Sequence, residues 1–446
     1  DRWDVAWVEC EARDGFIIHE RKKLSFAELA ADAAGYSPPD PPPLQASPPA
    51  EAPNDMGLEA PNPYPRLDLP SKVDGSHLFA GDVRLPDMVY AAIHHGPIDV
   101  AELTKFRKQA AYGTQGLVGI VKGKRWLAAV ATNWWAAERA LERMRPVFRI
   151  VGAVDSAKIE DALESAVTKG PGTRVVSHGD VDGKLGIPTC QARYDISTAL
   201  HATIETASIT ARLRDGRLEL WMASQAPEQA RVAAAKAIGI SERDVVLYPM
   251  PAGGSFDRRL ENDHAIEAAL IAREIGRPVQ LVWSRWQEHL AERPRTPVAA
   301  ILSATTSQSG HIAVWHARLA LPPTAQECGH RLFGNMPGTE AIDASEGEAD
   351  PFAVEGAEPP YRIENVAVDH VPARIGLSTG RMRGNAHGYT CFFTESFMDE
   401  LAARHQREPL SYRMEMLGDD VRLAACLQRA AQMAQQGGGR DQSGQG

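Results

Sequence analysis

Cysteine is sparse in this sequence: five in 446 residues, Cys10, Cys190, Cys328, Cys391 and Cys426, each far from the next. None forms a Cys-x-x-Cys pair, so the chain carries no recognisable zinc or iron–sulfur ligand set of its own. Small buried hydrophobes are the expected role of these residues. No apolar run is long enough to span a bilayer. An excess of positive charge is missing as well: 48 Lys and Arg stand against 58 Asp and Glu, and the formal charge of −10 argues against a nucleic-acid surface. There is no initiator Met and no signal peptide, and the chain stops in a glycine-rich run from Gly437 to Gly446. A fragment, a processed form or a split subunit is expected.

What is present is ordinary for a soluble globular protein, with 43% apolar residues, and long enough for two or three domains. The informative stretch runs from Ser224 to Trp286. Pro227 suits a first helical position, and Ala233, Ala234, Ala235 and Ala237 keep that helix thin enough to lie close on a sheet. Val245–Tyr248 reads as a buried strand. A second helix is predicted from near Asn262, with Ala265, Ala268, Ile271, Ala272 and Ile275 at helical spacing and Gly276 and Pro278 as its stop.

Between that strand and helix lies Ala252-Gly253-Gly254-Ser255-Phe256-Asp257-Arg258-Arg259. Two glycines let the backbone turn and let a flat or phosphorylated ligand approach its N–H groups, while the arginines supply charge for phosphate. The plain alternative is a strand-to-helix connection with a solvated Arg pair. The loop is neither G-x-G-x-x-G nor a Walker A sequence, which disfavours a Rossmann or P-loop assignment.

Four pieces of this stretch stand in a familiar order: Ser224-Gln225-Ala226-Pro227, Gly253 to Arg259 with Leu260-Glu261, Gly276-Arg277-Pro278-Val279 and Val282-Trp283-Ser284-Arg285. Through them the chain resembles the molybdopterin-binding large subunit of the xanthine dehydrogenase and aldehyde oxidase family, nearest the branch of the isoquinoline 1-oxidoreductase β-subunit. Lys72-Val73-Asp74-Gly75, Gly81-Asp82-Val83-Arg84-Leu85-Pro86, Asn133-Trp134-Trp135-Ala136-Ala137 and Glu408-Pro409-Leu410 extend the resemblance over nearly all of the chain. It implies an α+β fold, with an α/β hammerhead domain over residues 71–155 and a mixed α/β molybdenum-cofactor-binding domain over 156–436. A small β/α piece at 1–35 and a proline-rich linker at 36–70 precede them, and a Gly-rich tail at 437–446 follows.

Taken in order, Trp3–Cys10 and Phe16–His19 are expected as strands about the turn at Asp14-Gly15, with Ser25 capping a helix. The small unit is too short for its own core and is expected to pair with a sheet elsewhere. The prolines between Tyr36 and Pro65 favour an extended surface-crossing linker, with a PxxP ligand as the alternative. Ser76–Val83, Met88–His94, Leu117–Val121, Trp126–Ala131 and Val147–Val151 read as strands, and Val100–Gln109, Ala136–Met144 and Ser156–Lys169 as helices. His94 and His95, adjacent on a strand, face opposite ways, one to solvent and one packed, and so do not form a metal pair. A polar loop runs through Gly186. Ile209–Leu213 and Arg217–Met222 form a hairpin across Asp215-Gly216, and Ala299–Thr305 pairs with Ile312–Leu319. Residues 322–360 read as loop-like and acidic, a length that suggests a pocket-covering loop or an ordering partner. An arginine loop, Thr379 to Gly384, opens onto an amphipathic helix over Phe392–Leu401.

The resemblance implies hydroxylation of an electron-poor carbon, in an aldehyde or an N-heteroaromatic ring, with water as the oxygen source. Gln225 would hydrogen-bond an oxygen of the molybdenum centre or pterin, Gly253, Gly254, Ser255 and Phe256 would line the cofactor, and Arg383 would orient a polar substrate group. Gln225 and Arg383 are thus the candidate catalytic residues; His387 is a lesser pocket candidate. The cofactor would be molybdopterin cytosine dinucleotide. The partner would be a small subunit that carries two [2Fe–2S] clusters, any haem also lying on partner subunits.

Three residues depart from the family: Thr206 where proline is usual, and Ser255 and Asp257 where glycine is common. The family's catalytic glutamate lies in a Gly-x-Gly-Glu motif that this chain lacks; Gly347-Glu348 does not fit its place. The isolated chain is therefore expected to be inactive until the C-terminal remainder of a large subunit, or another chain, supplies the base. The alternative is a non-catalytic scaffold of the same fold that binds no molybdenum. The branch is bacterial, and either the periplasm or the cytoplasm is open to it.

Overall fold

The structure is a computed structural model that describes residues 2–37, 66–418 and 420–437, with side chains to residue 434. The chain divides into two compact units, Asp1–His77 and Leu78–Gly446.

In the first unit, β1 (Glu11–Arg13), β2 (Phe16–His19) and β3 (Lys22–Ser25) pair antiparallel in sequence order. Helix α1 (Phe26–Ala33) starts at Ser25, as predicted. The Ser25 hydroxyl accepts the Glu28 N–H at 3.2 Å, and the Glu28 carboxylate accepts the Ser25 N–H at 2.8 Å. The expected strand Trp3–Cys10 is not formed, because Trp7–Glu9 closes a 3-10 turn and pairing begins only at Glu11. The three strands pair with one another instead of joining a sheet elsewhere. A short helix, α2 (Leu69–Asp74), ends at Gly75. Most of the proline-rich segment, residues 38–65, lies outside the described residues.

The second unit is built from β4 (Val89–His95), β5 (Ala101–Lys105), β6 (Leu117–Lys122), β7 (Trp126–Ala131), β8 (Val147–Ile150), β9 (Thr173–His178) and β10 (Cys190–Ile196). It continues through β11 (Ser208–Arg214), β12 (Arg217–Met222), β13 (Val245–Pro249), β14 (Val279–Val282), β15 (Val298–Thr306), β16 (Ile312–Leu321) and β17 (Asn365–Pro372). Its helices are α3 (Trp134–Met144), α4 (Ser156–Lys169), α5 (Val181–Lys184), α6 (Pro227–Ile238), α7 (Asp263–Ile275), α8 (Arg285–Leu290), α9 (Thr324–Gly334), α10 (Gly338–Ala344), α11 (His387–Arg404), α12 (Pro409–Met416) and α13 (Val421–Gly437). Among the described residues no helix is long and apolar enough to cross a membrane.

Seven strands form one sheet in the order β13-β12-β11-β14-β4-β7-β6. Alternate residues go to opposite faces. Ala91, Ile93, Ala128 and Val130 join the core under α6 and α7, while Ala92, Leu127, Ala129 and Ala131 join the core under α3. Both faces are covered, which explains why β7 is buried along its whole length. The alanines of α6, with Ala265, Ala268, Ala269 and Ala272 of α7, let both helices approach the sheet closely. A second sheet has the order β10-β15-β16-β17-β9. Its Val298, Ala300, Leu302 and Ala304 pack on Phe393, Phe397 and Leu401 of α11, and its Ala299, Ala320 and Val371 on Leu163 and Val167 of α4.

Several expectations give way here. Val100–Gln109 is not a helix: Ala101–Lys105 is strand β5, paired with β8. Ser76–Val83 is not a strand, and only Ala80–Asp82 turns, as a 3-10 helix. The polar loop before Gly186 contains β9 and α5. Residues 322–360 hold α9, α10 and a 3-10 turn at Pro351–Val354. Of the cysteines, only Cys328 is buried; Cys391 and Cys426 are exposed.

Phe397 is fully buried and stacks edge-on against Trp315, ring centroids 5.2 Å apart. Phe397→Ala is expected to cost about 3–5 kcal/mol, read as a shift of the urea midpoint at unchanged slope. A loss below about 1 kcal/mol would mean that this core collapses around the gap.

Candidate functional site

Two carboxylates shape the glycine loop between β13 and α7. Glu205 accepts the Gly253 N–H at 2.9 Å, and its own N–H donates to the Gly253 carbonyl at 2.9 Å. A Cβ at position 253 would come within 2.5 Å of the Glu205 Cβ, so glycine is needed for this clasp. Glu288, fully buried on α8, accepts from Arg258 Nε at 3.1 Å, Arg259 Nη1 at 3.4 Å and the Ala207 N–H at 2.7 Å. Burial pushes the Glu288 carboxyl up, but Arg258 and Arg259 outweigh it and hold the group below its ordinary value. Arg259 also donates to the Glu205 carbonyl at 2.7 Å, and the Arg258 guanidinium lies over the Trp283 ring at 5.6 Å. Neither expectation for this Arg pair holds. The side chains are only 1% and 3% exposed, so they are not solvated and do not reach out to a phosphate; the buried Glu288 has drawn both inward.

With its arginines anchored, the loop turns its other residues outward. Gly254, Phe256 and Asp257 have φ of 103°, 53° and 73°, and a bulky residue such as Phe256 rarely takes this conformation without a functional reason. The N–H groups of Gly254, Ser255, Phe256 and Asp257 have no acceptor among the described residues. Successive free N–H groups in a left-handed bend form a concavity suited to an anion.

The predicted site residues converge on this loop. Ser255 Oγ donates to Gln225 Oε1, and Gln225 Nε2 donates to Asp257 Oδ1 at 2.9 Å. The Gln225 N–H donates to the Arg259 carbonyl at 2.9 Å. The Arg383 N–H donates to the Phe256 carbonyl at 3.2 Å. The Arg383 guanidinium is exposed and pairs with no described residue. Phe256 is 40% exposed. Beside them, Arg381 Nε stands 3.9 Å from Asp257 Oδ2, and the Arg381 carbonyl lies 2.7 Å from His201 Nε2. His387 lies near Glu355, at 3.9 Å, and makes no hydrogen bond or ion pair with Gln225, Phe256 or Arg383. His94 and His95 face opposite ways as expected, but half-buried His94 meets Glu138 at 3.0 Å instead of standing in solvent, while buried His95 reaches Glu267 at 2.7 Å.

Behind the loop lies a buried ionic cluster that had no sequence signature. Arg293 donates to Asp99 at 3.0 Å and Asp263 at 2.7 Å and reaches Glu261 at 3.1 Å, while Arg331 bonds Glu261 and the Thr379 carbonyl, each at 2.8 Å. A cavity of about 280 Å³ sits against it, with His95, Glu261, Asn262, Glu267 and Trp283 in its wall. Through Arg331 the cluster joins the start of α7 to the loop that carries Arg383. Glu288, Arg293 and Arg331 belong to no motif and are separated by tens of residues from their partners, so only the folded chain reveals them.

Comparison with known proteins finds relatives of this sequence and this fold. Residues 167–328 match the family of molybdopterin cofactor-binding domains. The β-subunit of isoquinoline 1-oxidoreductase from Brevundimonas diminuta is 25% identical over 97% of this chain and 60% of its own length. A nicotinate dehydrogenase subunit of Pseudomonas putida is 26% identical over 80% of this chain and 30% of its own. Among solved structures, the aldehyde oxidoreductase of Desulfovibrio gigas superposes with a TM-score of 0.65 at 16% identity, over 84% of this chain and 46% of that one. The chain is a relative of the molybdopterin-binding large subunits of the xanthine dehydrogenase and aldehyde oxidase family, with their α+β fold. It spans little more than half the length of the first of these relatives, and less of the others.

Two outcomes test the anchoring. Glu288→Ala removes the nearest carboxylate from two buried guanidiniums, leaving Arg258 with Glu292 at 3.8 Å and Arg259 with the Glu205 carbonyl, and is expected to cost about 3–5 kcal/mol in chemical denaturation; a loss below about 1 kcal/mol would equate the cluster with an exposed ion pair. His264 is buried beside the same arginines, and burial, then Arg259 and Arg258, lowers its pKa from 6.5 to about 3. Its neutral form is favoured when folded, so it supports stability above pH 6.5 and progressively withdraws that support as pH falls towards 3. Glu267, raised by burial, acts with the opposite sign. The readout is therefore the difference between proteins: relative to His264→Phe, the wild type should lose stability between pH 6.5 and 4.5. Parallel pH profiles for the two proteins would exclude a buried neutral histidine.

Proposed function

We propose that this chain forms the cofactor-facing wall of a molybdenum hydroxylase large subunit that oxidises an aldehyde or N-heteroaromatic substrate. The observation that carries this reading is the convergence at one rim of four unpaired loop N–H groups, the Gln225 amide and the unpaired Arg383 guanidinium. In this reading the N–H groups of residues 254–257 hold the anionic edge of molybdopterin, in its cytosine dinucleotide form. Gln225, once released from Asp257, donates through Nε2 to a cofactor oxygen, and Phe256 packs against the bound ring system. Arg383 fixes the polar end of the substrate with its planar pair of donors. When bound, the cofactor supplies the two-electron redox chemistry and activates water as the oxygen source. In this reading, as the family resemblance implies, electrons would leave to a partner subunit that carries two [2Fe–2S] clusters. The general base, missing as a Gly-x-Gly-Glu sequence, comes from the remainder of a large subunit or from another chain, and this chain alone does not turn over.

One observation favours a second reading, a scaffold of the same fold that holds no molybdenum. The Gln225 amide is already satisfied within the chain, accepting from Ser255 and donating to Asp257, two residues found where family members commonly have glycine.

Metal analysis of the complex purified with its iron–sulfur partner separates the two readings. Molybdenum near one per complex supports the hydroxylase; none, under conditions that load a related enzyme, supports the scaffold. Within an active complex, Gln225→Ala and Arg383→Ala are each expected to lower turnover about a hundredfold, the scale for losing a positioned donor, with little change in melting temperature. Parallel losses of activity and stability would reduce both residues to structural roles.

A further inference from the structure

A second cavity, of about 180 Å³, lies under α9 and the segment that follows β17, walled by Pro322, Ile342, Pro372, Ile375 and Leu377. None of Gln225, Gly253, Gly254, Ser255, Phe256 or Arg383 lines it. An apolar cavity of about 150 Å³ holds one benzene ring, so this space suits a single six-membered ring. Its wall contains two acids: Glu346, exposed and paired with Arg374, and Glu327 of α9, which is 2% exposed. Thr379 lies close enough to favour the ionised form of Glu327, while Glu327 Oε2 has no partner among the described residues.

The neighbouring cations are largely engaged, although Arg331 Nη1 has no hydrogen-bond partner among the described residues. Arg331, one turn along α9, is held by Glu261 and the Thr379 carbonyl, each at 2.8 Å. Arg374, at the cavity edge, is paired with Glu346 and with Asp343 at 2.7 Å. A buried carboxyl oxygen without a donor is destabilising, and an N–H from a ligand removes that penalty.

We propose that this cavity binds a small apolar cation with one ring, an arylalkylamine or a protonated N-heterocycle, whose ring lies among Ile342, Ile375, Leu377 and the two prolines and whose N–H donates to Glu327. The proposal does not depend on the molybdenum reading. Burial raises Glu327 to about 7 against the pull of Arg331 and Thr379, with Asp350 adding to the rise. Near neutral pH the empty site therefore exchanges a proton, and a cationic ligand favours the ionised acid. Affinity should rise as the pH is raised through 7.

The test is calorimetric titration of the chain with benzylamine at pH 6 and pH 8, with benzyl alcohol as the uncharged counterpart. Saturable one-to-one binding is expected, about tenfold tighter at pH 8, as for an acid titrating near 7, and stronger than for the alcohol. Glu327→Gln should weaken benzylamine at least tenfold at pH 8 and abolish the pH dependence. Leu377→Trp, which fills the cavity, should remove binding. Melting temperatures near that of the wild type verify that both variants fold. The proposal is overturned if the wild type shows no saturable binding in the millimolar range, if the alcohol binds as well as the amine, or if Glu327→Gln binds as the wild type does. The two wild-type comparisons decide the matter even if a variant fails to fold.

Discussion

A carboxylate removed from water, Glu288, joins the parts on which the candidate site depends. It ties two consecutive arginines of the glycine loop to the backbone at Ala207 and to α8. An ionised group in such surroundings persists only when its charge is matched and its lone pairs are filled. The three donors around Glu288 meet that demand, and the arrangement holds the loop from its inner side. Glu205 takes hold of the same loop at Gly253. Ser255 and Asp257 still brace Gln225 and the Phe256 carbonyl still accepts from Arg383, but with the arginines pointing inward the N–H groups of Ser255, Phe256 and Asp257 stay unspent.

Much of the scaffold was legible because local chemistry and tertiary packing agree. Pro227 at the first turn of α6, Gly276 at the end of α7 and the Ser25–Glu28 capping box each solve a backbone problem with nearby residues. Where the elements went unrecognised, the deciding partner is distant. Val100, Leu103 and Phe106 have helical spacing, yet Ala101–Lys105 is extended because it pairs with Val147–Ile150. Strand β17 gave no clear pattern because Asn365, Asp369 and His370 interrupt it. All three are buried, with Asp369 answered by Arg174 and His316 and with His370 accepting the Asp350 N–H. In residues 322–360, abundant acidic residues suggested an irregular loop that covers a pocket or needs an ordering partner. Glu327 and Asp350 are instead interior partners of helical segments.

The candidate site divides in the same way. Short motifs were sufficient to single out Gln225, Gly253 to Phe256 and Arg383, which the fold brings to one rim through the Gln225–Asp257 and Arg383–Phe256 hydrogen bonds. The direction of Arg258 and Arg259 was not legible, since an arginine in a glycine loop has the same local signature whether it greets a phosphate or a buried glutamate. That glutamate lies about thirty positions further along the chain, on a two-turn helix with no motif of its own.

The parallel pairing of β14 with β4, residue 279 beside residue 89, carries a consequence for biogenesis. The two halves of the seven-stranded sheet meet only at this seam, with β4, β7 and β6 on one side and β11, β12 and β13 on the other. As the polypeptide leaves the ribosome, β4 must wait for nearly two hundred further residues to be made before its neighbour exists. Until then an apolar edge is open to misassociation, and closing so long a loop is slow. Nascent chains stalled before Val279 should thus be the forms most in need of a chaperone.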